Sequence, residues 1–179
     1  ESGEVVKLGG IEDAANRRTV QLVNPSLTNR KATTRTLQMS IQLVKPGARA
    51  ECHRHTAAAL RFVVESDGVG YTNVESEHML MEPGDLILTP NWTWHDHHNE
   101  SEDPIIWLDG LDGPLIQSLN VLFFEDYEKD EQPITRQTGE SLSRLGFARS
   151  PKKEKDQLRG VPFRYPWRDT YKALKTVSD

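Results

Sequence analysis

Five of the six histidines of this sequence lie in two short stretches, Cys52-His53-Arg54-His55 and Trp94-His95-Asp96-His97-His98. On a β-strand successive side chains point to opposite faces, so His53 and His55 share one face while Cys52 and Arg54 share the other. Two imidazoles on one face provide half of a metal site. A third nitrogen from a distant strand would complete a facial three-histidine site with coordination positions open for substrate or oxygen.

The third ligand comes from His95 or His97, which also share a face. Gly47, five residues and His53-Arg54-His55 match the first cupin motif. Gly84, five residues, Pro90, two residues, Thr93-Trp94-His95, three residues and Asn99 follow the second, and His95 falls on its metal-ligand position. The alternative is a set of satisfied polar residues, or an adventitious surface metal site. If His95 is the third ligand, His97 is either a proton donor beside the metal or a structural histidine. His98 and His78 are expected to be solvated.

The elements around these histidines are predicted to be short strands. From about Thr36 to Glu125, apolar runs recur every 8 to 12 residues between turn dipeptides, which is typical of an antiparallel sandwich or barrel. We therefore predict an all-β cupin fold, a jelly-roll barrel over 36–125, with an irregular arm at 1–35 and a C-terminal extension at 126–179. The extension contains one short helix, Thr170 to Val177, and packs on the barrel or on a missing second cupin half. The predicted strands are Thr36–Val44, Ala58–Glu65, Gly70–Glu75, His78–Met81, Asp85–Thr89, Thr93–Asn99, Pro104–Leu108 and Leu115–Glu125.

Composition narrows the class of protein. The 179 residues suit one domain. No apolar run is long enough to span a bilayer, which excludes a membrane protein. A net charge of -5 without a long basic block argues against nucleic-acid binding. A single cysteine and no signal peptide predict a cytoplasmic protein with a small-molecule partner.

The first cupin motif normally supplies a Glu ligand after its two histidines, and Ala59 and Leu60 occupy the corresponding places here. A neutral three-histidine set leaves the metal its full +2 charge for an anionic chelating substrate. This pattern favours iron(II) and oxygen chemistry.

Four segments together resemble the N-terminal cupin domain of the gentisate 1,2-dioxygenases and of the related salicylate and 1-hydroxy-2-naphthoate dioxygenases. These segments are 53–65 (HRHTAAALRFVVE), 81–86 (MEPGDL), 89–97 (TPNWTWHDH) and 107–112 (WLDGLD). The resemblance implies Fe(II) bound by His53, His55 and His95. It also implies extradiol-type cleavage of gentisate or a related hydroxy-aromatic acid by O2, between the carboxyl-bearing and hydroxyl-bearing carbons. A homo-oligomer, a tetramer in the family, is expected as well.

The same resemblance implies catalytic roles for Gln42, Arg61, His97 and Asp109, and substrate binding by Arg61, Gln42 and Arg17. An arginine inside a β-barrel needs an anion, either a substrate carboxylate or a structural partner such as Asp109 or Glu65. Gln42 is either an outward residue or a buried donor.

Asp109 is either an acceptor near His97 or a turn former before Gly110, and the turn is the preferred interpretation. Two other functions stay open. One is a non-catalytic metal-binding cupin that serves as a sensor or carrier of an aromatic acid. The other is a divalent-metal cupin isomerase.

Overall fold

A computed structural model describes residues 17–27, 31–142 and 162–178 of the chain. Two antiparallel sheets face each other, as the all-β cupin prediction requires. The strands and helices, in chain order, are β1 (Arg17–Leu22), β2 (Gln38–Val44), β3 (Arg49–His55), β4 (Ala59–Glu65), β5 (Tyr71–Val74), β6 (Glu77–Leu80), β7 (Leu86–Thr89), β8 (His95–His98), β9 (Ile105–Leu111), α1 (Gly113–Ser118), β10 (Phe124–Asp126), β11 (Arg164–Tyr165) and α2 (Trp167–Ser178). No helix within the described ranges is both long and apolar enough to cross a membrane.

The six-stranded sheet has the order β1-β2-β9-β4-β7-β11. Alternation is clear on β4, where Arg61 and Val63 are buried while Phe62 and Val64 are exposed. The inner face therefore packs against the other sheet. The buried apolar cluster between the sheets comprises Val44, Ala48, Val63, Val74, Met79, Met81, Ile87, Ile105, Trp107 and Phe163.

The five-stranded sheet has the order β10-β3-β8-β5-β6 and carries both histidine stretches. A register shift in the β3–β8 pair lies between Ala50 and His53 and brings His53 opposite His95. On the other side of β8, Thr72 of β5 lies opposite His97. The two histidine stretches thus become neighbours although about 40 residues separate them.

Two buried carboxylates attach the C-terminal extension to the barrel. Asp85 accepts hydrogen bonds from Arg164 Nε at 2.7 Å and from the Trp167 backbone N–H at 2.8 Å. Gly84 is required beside it, because its φ is +88° and a Cβ there would lie 2.7 Å from the Trp167 ring. Glu77, 1% exposed, accepts from the backbone N–H groups of residues 139 and 141 and from the Ser141 hydroxyl.

Three predicted elements need correction. The strand predicted over Leu115–Glu125 is α1 followed by an irregular segment and the short β10, because Pro114 is suited to the first turn of a helix. The C-terminal helix begins at Trp167 rather than at Thr170. Residues 17–22 of the predicted irregular arm form an edge strand beside β2.

Candidate metal centre

The side chains of His53, His55 and His95 converge on the inner face of the five-stranded sheet. One nitrogen from each lies within 4.8 Å of the others. The ring centroid of His95 lies 4.4 Å from that of His53 and 4.9 Å from that of His55. We call these three residues the histidine cluster.

Backbone carbonyls orient each imidazole of the cluster. Nδ1 of His53 lies 2.7 Å from the Glu51 carbonyl oxygen, and Nδ1 of His55 lies 2.7 Å from that of Ala57. Nδ1 of His95 lies 2.9 Å from the Thr93 carbonyl oxygen. Since a carbonyl oxygen only accepts, Nδ1 carries the proton in each ring and Nε2 carries the lone pair.

The lone pairs of the cluster fit a divalent metal ion. His95 Nε2 is buried and has no hydrogen-bond partner in the described part of the chain. A buried nitrogen acceptor without a partner is costly unless something binds it. Three neutral nitrogen donors with no carboxylate among them are the ligand set that iron, zinc and related metals accept.

Burial favours the neutral form of two imidazoles of the histidine cluster. His95 is 1% exposed, and burial, assisted by the nearby charge of Arg61, holds its pKa well below the ordinary value. Burial also lowers the pKa of His55. At neutral pH both rings are therefore unprotonated, as metal ligands must be.

A second polar group lies on the inner face of the six-stranded sheet. Arg61, 4% exposed, donates from Nη1 to the Thr89 hydroxyl at 3.0 Å, and its Nε lies 3.6 Å from Asp109 Oδ1. Gln42 Nε2 donates to the other oxygen of Asp109. We call Arg61, Thr89, Asp109 and Gln42 the arginine cluster.

The arginine cluster shows the surroundings of two residues for which the sequence left alternatives open. Arg61 has a structural anion, Asp109, and Gln42 is a half-buried donor rather than an outward residue. The preferred turn at Asp109 is wrong, because β9 continues to Leu111 and places Asp109 opposite Arg61 on one side and Ser40 on the other.

The other three histidines are buried or half-buried, although two of them were predicted to be solvated. His97 is buried, with its Nδ1 2.7 Å from the Thr72 hydroxyl. His98, predicted to be solvated, is 6% exposed because its ring stacks on Tyr71 and its Nε2 lies 2.9 Å from Asp96 Oδ1. His78, also predicted to be solvated, is half-buried.

Phe124 is a site residue that sequence analysis did not select. Its ring stacks on His53, with centroids 5.1 Å apart and planes at 20°. Arg54 holds the strand in place by donating to Glu125 from Nε at 2.9 Å and from Nη2 at 2.6 Å. The only sequence signal was an aromatic pair in a segment predicted as an ordinary strand.

Two tryptophans lie at the outer side of β3. The Arg54 guanidinium lies over the rings of both Trp92 and Trp94, 4.4 and 4.3 Å from their centroids. These tryptophans therefore support β10 from outside the barrel.

For Arg17 the structure describes only the backbone, in β1 opposite Val44, and its predicted substrate contact lies outside the described side chains.

The sequence is similar to a known domain family and to several known enzymes. Residues 40–110 match the cupin domain family. The chain is 40% identical over 170 residues to 1-hydroxy-2-naphthoate 1,2-dioxygenase of Nocardioides sp. (strain KP7), covering 94% of this chain and 43% of that protein. It is 42% identical to gentisate 1,2-dioxygenase 1 of Aquipseudomonas alcaligenes, covering 91% and 47%. It belongs to the gentisate 1,2-dioxygenase family of cupins.

Solved structures agree with this assignment to the gentisate dioxygenase family. Salicylate 1,2-dioxygenase of Pseudaminobacter salicylatoxidans superposes with a TM-score of 0.76 at 35% identity, over 89% of this chain and 46% of that one. Its adduct with gentisate gives a TM-score of 0.77 at 31% identity, over 98% and 48%. The chain spans about half the length of the relatives that it matches.

Proposed function

We propose that this chain forms the iron site of a dioxygenase that cleaves the ring of gentisate or a related hydroxy-aromatic acid. One observation carries the proposal. The histidine cluster presents three nitrogen lone pairs inside the barrel, and the buried guanidinium of Arg61 lies on the inner face of the opposite sheet.

The chemistry of the bound metal would be that of Fe(II), which activates O2 and accepts the carboxylate and hydroxyl oxygens of an aromatic acid. The protein holds the ligands rigidly, because each Nδ1 is tied to a carbonyl two residues away. Phe124 covers the His53 side of the site with an apolar surface.

Arg61 would bind the carboxylate of the substrate. A guanidinium carries five N–H donors in a planar fork that suits a carboxylate, and the bond to Thr89 uses one of them. Asp109 and Thr89 fix the plane of the guanidinium from within the barrel. Gln42 holds Asp109 in turn, so its role would be to keep Arg61 oriented.

Oxygen uptake tests this function. Protein loaded anaerobically with Fe(II) is mixed with gentisate, salicylate or 1-hydroxy-2-naphthoate in parallel cells. One O2 consumed per substrate supports ring cleavage and ranks the three acids. No uptake with any of them at one iron per chain contradicts it and favours a cupin that binds an aromatic acid without turnover.

We further propose that the protein works as a homo-oligomer, a tetramer by resemblance to the family. The outer face of the six-stranded sheet carries a continuous set of exposed apolar side chains: Val20, Ile41, Leu60, Phe62 and Val64. A patch of this kind marks an interaction surface. A second copy suits it, since a symmetric dimer joins identical apolar patches.

Light scattering tests the oligomer. Phe62→Lys should lower the molecular mass in solution, because it places a charge in the apolar patch. Leu174→Lys changes an exposed leucine on α2, outside the apolar patch, and serves as the control. A wild-type protein that is already monomeric, or an F62K mass that does not change, contradicts the proposal.

A further inference from the structure

Thr72 makes two contacts with its hydroxyl at a position where the side chain is 0% exposed. The hydroxyl oxygen lies 2.7 Å from His97 Nδ1. It also lies 3.3 Å from the sulfur of Met81, in the geometry of a donor to that sulfur. The β5–β8 register fixes the first contact, because it places Thr72 directly opposite His97.

The single proton of the hydroxyl decides which atom donates to which. A threonine hydroxyl has one proton to give and lone pairs to accept with. When that proton points to the Met81 sulfur, the oxygen accepts from His97, so His97 carries its proton on Nδ1. The neutral ring then has its lone pair on Nε2.

His97 stands beside the histidine cluster in the space between the two sheets. Its ring centroid lies 5.7 Å from that of His95 on the same strand. It lies 5.5 Å from that of Trp107, which belongs to the opposite sheet. Because the two ring nitrogens lie on different sides of an imidazole, holding Nδ1 against β5 turns Nε2 away from that strand.

We propose that Thr72 is a positioning residue that fixes the tautomer of His97, so that Nε2 accepts a hydrogen bond from a hydroxyl group of the bound hydroxy-aromatic acid. This inference rests on the proposed function for the nature of the substrate. Met81 takes part through its sulfur, which holds the Thr72 proton away from His97. Thr72 and Met81 together therefore select substrates with a hydroxyl group that can donate a hydrogen bond to His97 Nε2.

Three variants separate positioning from packing. Thr72→Val keeps the shape and removes the hydroxyl, and we expect KM to rise about tenfold with kcat within about twofold, as for the loss of one binding hydrogen bond. Thr72→Ser restores the hydroxyl and should recover KM to within about twofold. Met81→Leu releases the Thr72 proton toward His97 and should raise KM as T72V does. Each variant is compared at equal iron content.

Ser101→Ala is the matched control. Ser101 is also buried, and its hydroxyl donates to Asn99 Oδ1 at 2.6 Å. Its loss should lower thermal stability without changing KM. A T72V protein with unchanged KM, or a T72S protein as impaired as T72V, would overturn the inference.

The tautomer is measured without turnover. Histidine-selective 15N labelling of Zn(II)-loaded protein gives two-bond proton–nitrogen correlations, and comparison with His97→Gln assigns the His97 ring. We expect the Nδ1–H pattern in wild type and a change of pattern in T72V and M81L. An Nε2–H pattern in wild type contradicts this inference, whereas an inactive wild type with the Nδ1–H pattern contradicts the proposed function alone.

Discussion

The histidine cluster and the arginine cluster face the same interior but are held in different ways. Each imidazole is oriented by a backbone carbonyl two residues away along the chain. The arginine cluster is held by side chains that come from four strands, with Gln42 and Asp109 separated by 67 residues. One cluster is therefore built from local sequence, and the other depends on the whole sheet.

This difference has a consequence for mutation. Backbone carbonyls persist whatever side chain they carry, so the orientation of the metal ligands tolerates substitution at neighbouring positions. In the arginine cluster, Arg61, Asp109 and Gln42 are held by side chains, and the loss of one leaves another buried group unsatisfied. Metal binding and pocket integrity should thus respond to different sets of substitutions.

The largest effect should follow the loss of a ligand. His95→Ala should weaken Fe(II) binding by more than about a hundredfold, because losing even an outer partner of a ligand typically costs 10- to 100-fold. Metal analysis after equilibration with one equivalent of Fe(II) measures it. His78→Ala, a half-buried histidine of β6, is the control. Stoichiometric iron in H95A would refute the ligand assignment.

The next effect should come from breaking the buried ion pair. Asp109→Ala leaves the Arg61 charge without its anion and should lower the free energy of unfolding by about 3–5 kcal/mol. Urea unfolding of the metal-free protein measures it. The double variant Arg61→Met, Asp109→Leu should lose much less than the sum of the single changes. Additive losses would mean that the two side chains act independently.

A smaller loss is expected at the edge of the same cluster. Gln42→Ala removes a donor to a buried carboxylate and should cost about 1.5–3 kcal/mol of unfolding free energy. Iron affinity should stay within about twofold. Gln117→Ala, an exposed glutamine of α1, is the matched control and should be neutral. A tenfold loss of iron affinity in Q42A would show that the two clusters are not separate.

The smallest effect should be at Glu51. Its carbonyl orients His53, but its side chain is exposed. Glu51→Ala should leave iron affinity within about twofold and stability within about 0.5 kcal/mol. Calorimetric titration with Fe(II) under anaerobic conditions checks this. A tenfold weaker site would show that the side chain, and not the carbonyl, supports the ligand.

The same contrast explains what the sequence could predict. Alternation on a strand and the spacing of glycine, proline and histidine predicted that His53, His55 and His95 belong to one site, because that information is local. The placement of Asp109 was missed because a preferred Asp-Gly turn was overridden by pairing with β2 and β4. Thr72 and Phe124 reach the site only through β5–β8 and β10–β3 pairing, which no local pattern encodes.

The burial of His98 illustrates the same limit. Its sequence neighbours are polar, so solvent exposure was expected. The Asp96 carboxylate that it contacts also accepts from Gln132 Nε2 at 3.0 Å. Gln132 belongs to the C-terminal extension and follows Asp96 by 36 residues in the chain.

The two carboxylates that attach the extension also impose an order of assembly. Strands β2 to β9 are complete once residue 111 has been synthesised, yet Asp85 finds Arg164 and Trp167 only about 80 residues after its own position. Domains form from the N-terminal side during synthesis. Asp85 and Glu77 have these partners only when the extension is docked, so docking is the step that dehydrates both carboxylates.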